Sequence, residues 1–198
     1  LSVTAFGLVE KGKAVRRSGA RPGDLLYVTG TLGDAALGLR LLMGEDFGHL
    51  TNNFQSDLIA RYQQPRPRTT CSDIVRKHAT SAIDVSDGLV ADVAHLASAS
   101  KVQIVIRRSS IPLSAAARQV IANDHGQVNH VWGGGDDYEL AFTAPRESQV
   151  DKKIAEFSEV PITEIGEVVM ADGNAGAVTL VDDNDNAIDV DTGGFRHF

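Results

Sequence analysis

The spacing of apolar residues changes period between positions 81 and 97. Ile83 and Val85 alternate with Asp84 and Ser86, as on a strand with one face buried. After Asp87 and Gly88, the residues Leu89, Val90, Val93, Leu96 and Ala97 recur at helical spacing. The same two periods predict strands over 1–9 (broken by Gly7), 24–29, 102–106, 138–143, 162–168, 177–181 and 187–190. They predict helices over 35–43, 56–62, 70–78, 114–121 and 146–158. Glycine, proline and charge mark the connections: 10–23, 44–55, the run Pro65-Arg66-Pro67-Arg68, 124–130, and a hairpin tip at 182–186. The alternation predicts one α/β (α+β) unit, a mixed sheet flanked by helices, with no internal repeat.

Chemistry first shows at the change of period. Asp87 falls at or beside a helix N-cap, where a carboxylate satisfies orphan N–H groups and suits the dipole. Capping leaves Asp84 unexplained, a second carboxylate on a strand that otherwise looks buried. Two carboxylates and a hydroxyl at one corner are costly unless a cation lies between them. Hard oxygen donors suit Mg²⁺, with phosphate oxygens completing its shell. A capped helix beside a polar strand residue is the plainer alternative.

A second such stretch runs from Trp132 through Gly133-Gly134-Gly135-Asp136-Asp137 to Tyr138 and Glu139. Three glycines permit close backbone approach or positive φ. Alternation then sets Glu139, with Ala141 and Thr143, against Tyr138, Leu140 and Phe142. The plainer alternative is a flexible turn with a solvated acidic tip. Other candidates read as structural. Gly30-Thr31-Leu32-Gly33-Asp34 lacks the Lys-Ser/Thr of a phosphate-binding loop, and 182–186 lacks the glycine and glutamate of a calcium loop. Pro65 to Arg68 reads as a semi-rigid exposed connector, and His125 and His130 as surface loop residues.

Charge narrows the partners. With 19 basic and 26 acidic residues in 198, the net charge of −7 argues against nucleic acid or an anionic membrane. A phosphate ligand would then need metal ions to offset repulsion. The single cysteine, Cys71, excludes an internal disulfide and a multi-cysteine zinc site, and fits a reducing cytoplasm. The chain opens on Leu1 as if already inside a strand, which suggests processing or a fragment.

Four motifs carry a resemblance. They are Arg17-Ser18-Gly19-Ala20 with Pro22-Gly23-Asp24, Ala82-Ile83-Asp84-Val85-Ser86-Asp87-Gly88-Leu89, Gly134-Gly135-Asp136-Asp137-Tyr138-Glu139-Leu140, and Gly194-Phe195-Arg196-His197-Phe198. In this order they resemble the thiamine-monophosphate kinases, of the aminoimidazole ribonucleotide synthetase and selenophosphate synthetase superfamily. The resemblance implies transfer of the γ-phosphoryl group of ATP to thiamine monophosphate, with Mg²⁺. It implies that Arg17 and Ser86 contact ATP, that Asp84 and Asp87 bind the metal, and that Glu139 and Phe195 meet the substrate. No catalytic base is implied. The family's early, aspartate-rich part is absent. The resemblance therefore divides the chain into a remnant of the N-terminal ATP-binding domain, 1–22, and a C-terminal α/β domain, 23–198. It implies a homodimer for the full-length enzyme and no turnover by this chain alone. Haloacid-dehalogenase phosphatases resemble the stretch at Asp84 superficially, but two residues intervene before Asp87 where those enzymes have one. A non-catalytic ligand- or partner-binding domain, or another ATP-using synthetase of the superfamily, is the alternative.

Overall fold

A computed structural model describes residues 2–4, 6–48, 50–150 and 160–189. In chain order the elements are β1 (Asp24–Thr29), α1 (Asp34–Leu42), α2 (Asn52–Gln63), α3 (Ser72–His78), β2 (Ser81–Val85), α4 (Leu89–Ser100) and β3 (Gln103–Arg107). Then follow α5 (Ala115–Asn123), α6 (Asn129–Gly133), β4 (Glu139–Pro145), β5 (Ile162–Val169), β6 (Val178–Val181) and β7 (Ala187–Ile188). The strands form one mixed sheet in the order β2-β4-β1-β5-β3-β6-β7. Among the described residues β3 and β6 pair in parallel, while the other neighbours are antiparallel. The expected α/β mixed sheet flanked by helices is what forms.

Alternation divides the core between the sheet's faces. Leu26, Val28, Ile83, Val85, Ile104 and Ile106 pack on one side with Val90, Val93 and Leu96 of α4. Leu25, Tyr27, Phe142 and Ala144 pack on the other with Ile74 and Val75 of α3, and the Tyr27 and Phe142 rings stack at 5.5 Å. β1 is therefore buried along its whole length, as a central strand covered on both faces must be. A third cluster, including Leu37, Leu58 and Val120, joins α1, α2 and α5.

Strand direction gathers the site. β1 and β2 both run antiparallel to β4. Their C-terminal ends therefore meet the start of β4 at one end of the sheet.

Several expectations are corrected. The described residues of 1–9 form no strand, and Val3, Phe6 and Leu8 are exposed. The apolar pattern there has no strand beside it to pair with. The helix expected over 56–62 begins at Asn52, because Thr51 caps it by accepting the Phe54 N–H at 3.3 Å. Its buried stripe is confined to Leu58, too narrow for the period to register early. The loop read at 124–130 is a 3₁₀ turn (His125–Val128) leading into α6, and His130 is half-buried, which pushes its imidazole pKa down. Of the helix expected over 146–158, Arg146–Ser148 form a single 3₁₀ turn instead, Val150 is helical, and 151–159 lie outside the described residues.

Candidate functional site

The corner after β2 is built differently from the sequence reading. Asp87 does not cap α4: the N-cap is Gly88, at φ 117°, with no side-chain hydrogen bond. A Cβ there would lie 3.0 Å from the Gly133 carbonyl, so the corner and the glycine run are in contact. The cap expected of Asp87 is replaced by a reach in the other direction. Asp92, buried in the first turn of α4, accepts the Ser86 and Asp87 N–H groups, each at 2.9 Å. Burial pushes the Asp92 carboxyl pKa up, and the Asp87 and Asp84 charges add to that rise. Asp92 thus shapes the turn and leaves the Asp87 side chain without a capping duty. Asp84 is exposed rather than buried, near the C-terminal end of the strand that ends the described sheet. Its hydration is retained, so burial does not by itself demand a cation.

The two informative stretches form one corner. The Asp136 N–H donates to the Ser86 carbonyl at 2.9 Å, and the Tyr138 N–H to that of Val85 at 2.8 Å. Asp136 and Tyr138 both have positive φ, 67° and 50°, a conformation that non-glycine residues hold only under constraint. The Tyr138 hydroxyl donates to Asp136 at 3.1 Å. Its pKa is raised, first by burial and then by the charges of Asp136, Asp84 and Asp87. Three carboxylates therefore act on one phenol. Among the described residues none of the three pairs with arginine or lysine, and no cluster of three potential ligands could hold a metal unaided. Asp84 and Asp87 are the carboxylates here that could hold a metal ion, the rest of whose ligands would have to come from water or a bound phosphate compound.

Glu139 lies apart from that corner. Val85 stands opposite Glu139 and Asp84 opposite Leu140, so Glu139 and Asp84 leave the sheet on opposite faces. Glu139 is fully buried and its carboxylate is saturated. Thr29 donates to Oε2 at 2.6 Å, Arg68 grips both oxygens through Nε and Nη2, and Arg61 Nη2 donates to Oε1 at 2.8 Å. The Glu139 interaction raises the Arg68 pKa further. Arg68 is thus no part of an exposed connector, as 65–68 was read. It turns inward, 12% exposed, to hold a buried charge. Gly30, at φ 61°, makes the room: a Cβ there would overlap the Glu139 carboxylate. Gly30→Ala should lower stability by more than about 1 kcal/mol, read by denaturant unfolding. A shift smaller than that would mean Glu139 is not fixed where it stands.

Asp137 is the other group the sequence reading passed over. Fully buried, it accepts the Gly33 N–H at 2.8 Å and, weakly, the Ala35 N–H at 3.4 Å, filling the place of a side-chain cap that Gly33 cannot supply to α1. Burial raises its pKa to about 8. The doubled aspartate following three glycines was the available signal, but spacing does not say which of the pair turns inward.

The remaining expected residues fall into three groups. Ser86 is half-buried at the corner, its carbonyl tied to Asp136. Arg17 is exposed near the opposite end of β2, where its carbonyl accepts from Ser100 Oγ at 3.2 Å and the Arg16 carbonyl from Ala82 N. The structure brings Arg17 into no contact with Ser86. Phe195 lies outside the described residues.

A mixed sheet flanked by helices, with acids and glycines gathered at one end of its strands, defines an α/β domain. The chain belongs to the AIR synthase related proteins: the family model for their C-terminal domain matches residues 21–179. A thiamine-monophosphate kinase of Caulobacter vibrioides is 38% identical over 177 residues, covering 87% of this chain and 49% of its own length. The crystal structure of thiamine-monophosphate kinase from Stenotrophomonas maltophilia K279a is similar at a TM-score of 0.77 and 38% identity, over 87% of this chain and 54% of that one. AaThiL complexed with AMPPCP and TMP is similar at a TM-score of 0.76 and 34% identity, over 93% of this chain and 54% of that one. The chain spans about half the length of these relatives. Among the described residues, no helix is long and apolar enough to cross a membrane.

Proposed function

We propose that the chain is part of a thiamine-monophosphate kinase, which moves the γ-phosphoryl group of ATP onto thiamine monophosphate to give thiamine diphosphate. The observation that carries this reading is the pair of hydrogen bonds from Asp136 and Tyr138 to Ser86 and Val85, which makes one acidic, glycine-lined corner of two distant motifs. The similarity to a relative complexed with AMPPCP and TMP supports a nucleotide and a second ligand in the same whole protein.

In this reading Asp84 and Asp87 hold Mg²⁺, which neutralises and positions crowded phosphate oxygens. Ser86 and Arg17 contact the nucleotide. Glu139 and Phe195 meet the thiamine substrate. No side chain is needed as a base, because a phosphate monoester with a second pKa of about 6 is already largely dianionic near neutral pH. Direct in-line transfer follows. Residues 1–22 belong, in the same proposal, to an N-terminal ATP-binding domain and 23–198 to the C-terminal one. The whole enzyme is a cytoplasmic homodimer that binds neither nucleic acid nor membrane.

The test is thiamine diphosphate formation from thiamine monophosphate and ATP by the whole protein. Asp87→Asn should cut turnover by about 100-fold or more while the unfolding curve stays in place. Unchanged turnover, with its usual magnesium dependence, would remove Asp87 from the site. The 198-residue chain alone is expected not to turn over, and detectable product from it would overturn that part.

A further inference from the structure

A carboxylate offers about four in-plane acceptor positions, and at Glu139 all four are filled: one by Thr29, two by Arg68 and one by Arg61. A ligand N–H can reach this carboxylate only by displacing a donor. Thr29 cannot leave cheaply, since its Oγ1 also accepts the Leu140 N–H at 2.8 Å and so closes the ladder between β1 and β4. Arg68 holds with two nitrogens in the planar fork that matches a carboxylate. Arg61 holds with one. Its further reaches to the Thr31 and Asp137 carbonyls are long, 3.5 and 3.4 Å, and its buried Nε has no hydrogen-bond partner among the described residues.

Arg61 also has somewhere to go. It lines a cleft of about 490 Å³ with Asp34, Asp57, Arg66 and Ser114, and its Nε already stands 3.9 Å from Asp34. At the back of this cleft Arg61 and Arg68 face Glu139 at close range, with Asp34 at the longer distance from Arg61.

We infer that Arg61 is a specificity-determining residue that exchanges partners when a ligand binds: the ligand's N–H donor takes Oε1 of Glu139, and the released guanidinium pairs with an anionic group on the same ligand. The class selected is an amino-substituted heterocycle carrying a phosphate monoester. A ligand with only the amine breaks the close ion pair and leaves Arg61 only its longer contact with Asp34. One with both groups leaves each charge partnered. The inference rests on the kinase reading above and deepens it, since it assigns to Arg61 the discrimination of thiamine monophosphate from thiamine.

Calorimetric titration of the protein with each of these two compounds, before and after Arg61→Met, tests it. The unaltered protein should favour the phosphorylated compound, and the ratio of the two affinities should fall about tenfold in Arg61→Met, with thiamine bound as well as before or better. Arg61→Lys, which keeps the charge, should preserve most of the ratio and serves if Arg61→Met does not fold. A merely structural role would weaken both ligands together. Binding of thiamine monophosphate with an unchanged ratio overturns the role of Arg61 and spares the kinase reading. Binding of neither compound by the unaltered protein overturns both.

Discussion

Arg68→Ala should destabilise the folded chain by about 3 kcal/mol, because it removes the two-nitrogen grip from a glutamate with no access to water. For a chain of this size that is a fall in melting temperature of about 6–12 °C. The net worth of the ion pair is smaller than this figure. Most of the loss comes from leaving Glu139 buried with one arginine and one hydroxyl where it had three donors. Arg76 supplies the control: it pairs with Asp73 at 3.1 Å with both side chains mostly in solvent, and Arg76→Ala should shift stability by less than about 0.5 kcal/mol. Equal effects from the two substitutions would show that burial of Glu139 does not set the energetics. Arg68→Lys should lie between them, since an ammonium cannot span both oxygens.

The second large effect is a pH dependence set by Asp137. Burial raises its folded-state pKa to about 8, far above an ordinary carboxylate. The folded chain therefore holds a proton that the unfolded chain releases, and stability contributed by that proton is fully present below pH ~4. It declines by about 1.4 kcal/mol per pH unit as the pH rises towards 8, and is level above that. Asp137→Asn abolishes the titration and can keep the stronger bond, its amide oxygen accepting the Gly33 N–H. Denaturant unfolding of both proteins between pH 5 and 9 should give a stability difference that moves towards the variant with rising pH and levels off near pH 8. A difference that does not change with pH would mean that Asp137 is ionised throughout, held so by the two N–H groups at the start of α1.

These two groups also mark the limit of what local sequence pattern records. The strand at 24–29 and the change of period at Asp87 were legible because each depends on neighbours within one turn or one pleat. The acidic corner was legible as well, although Asp84 proved exposed and Asp92, not Asp87, closes the turn. Arg61 and Arg68 were not. Arg61 sits on a helix whose apolar stripe is one residue wide, and Arg68 ends a proline-broken run that has every mark of a solvated connector.

By itself, then, the sequence determined most of the elements and the faces of β2 and β4. Only the tertiary structure decided what surrounds Glu139 and Asp137. Their donors lie 71 to 110 residues away along the chain, and strand order together with the packing of α2 on α1 brings them to one end of the sheet. Local periodicity records which way a side chain points. It carries no record of the charge that will be waiting there.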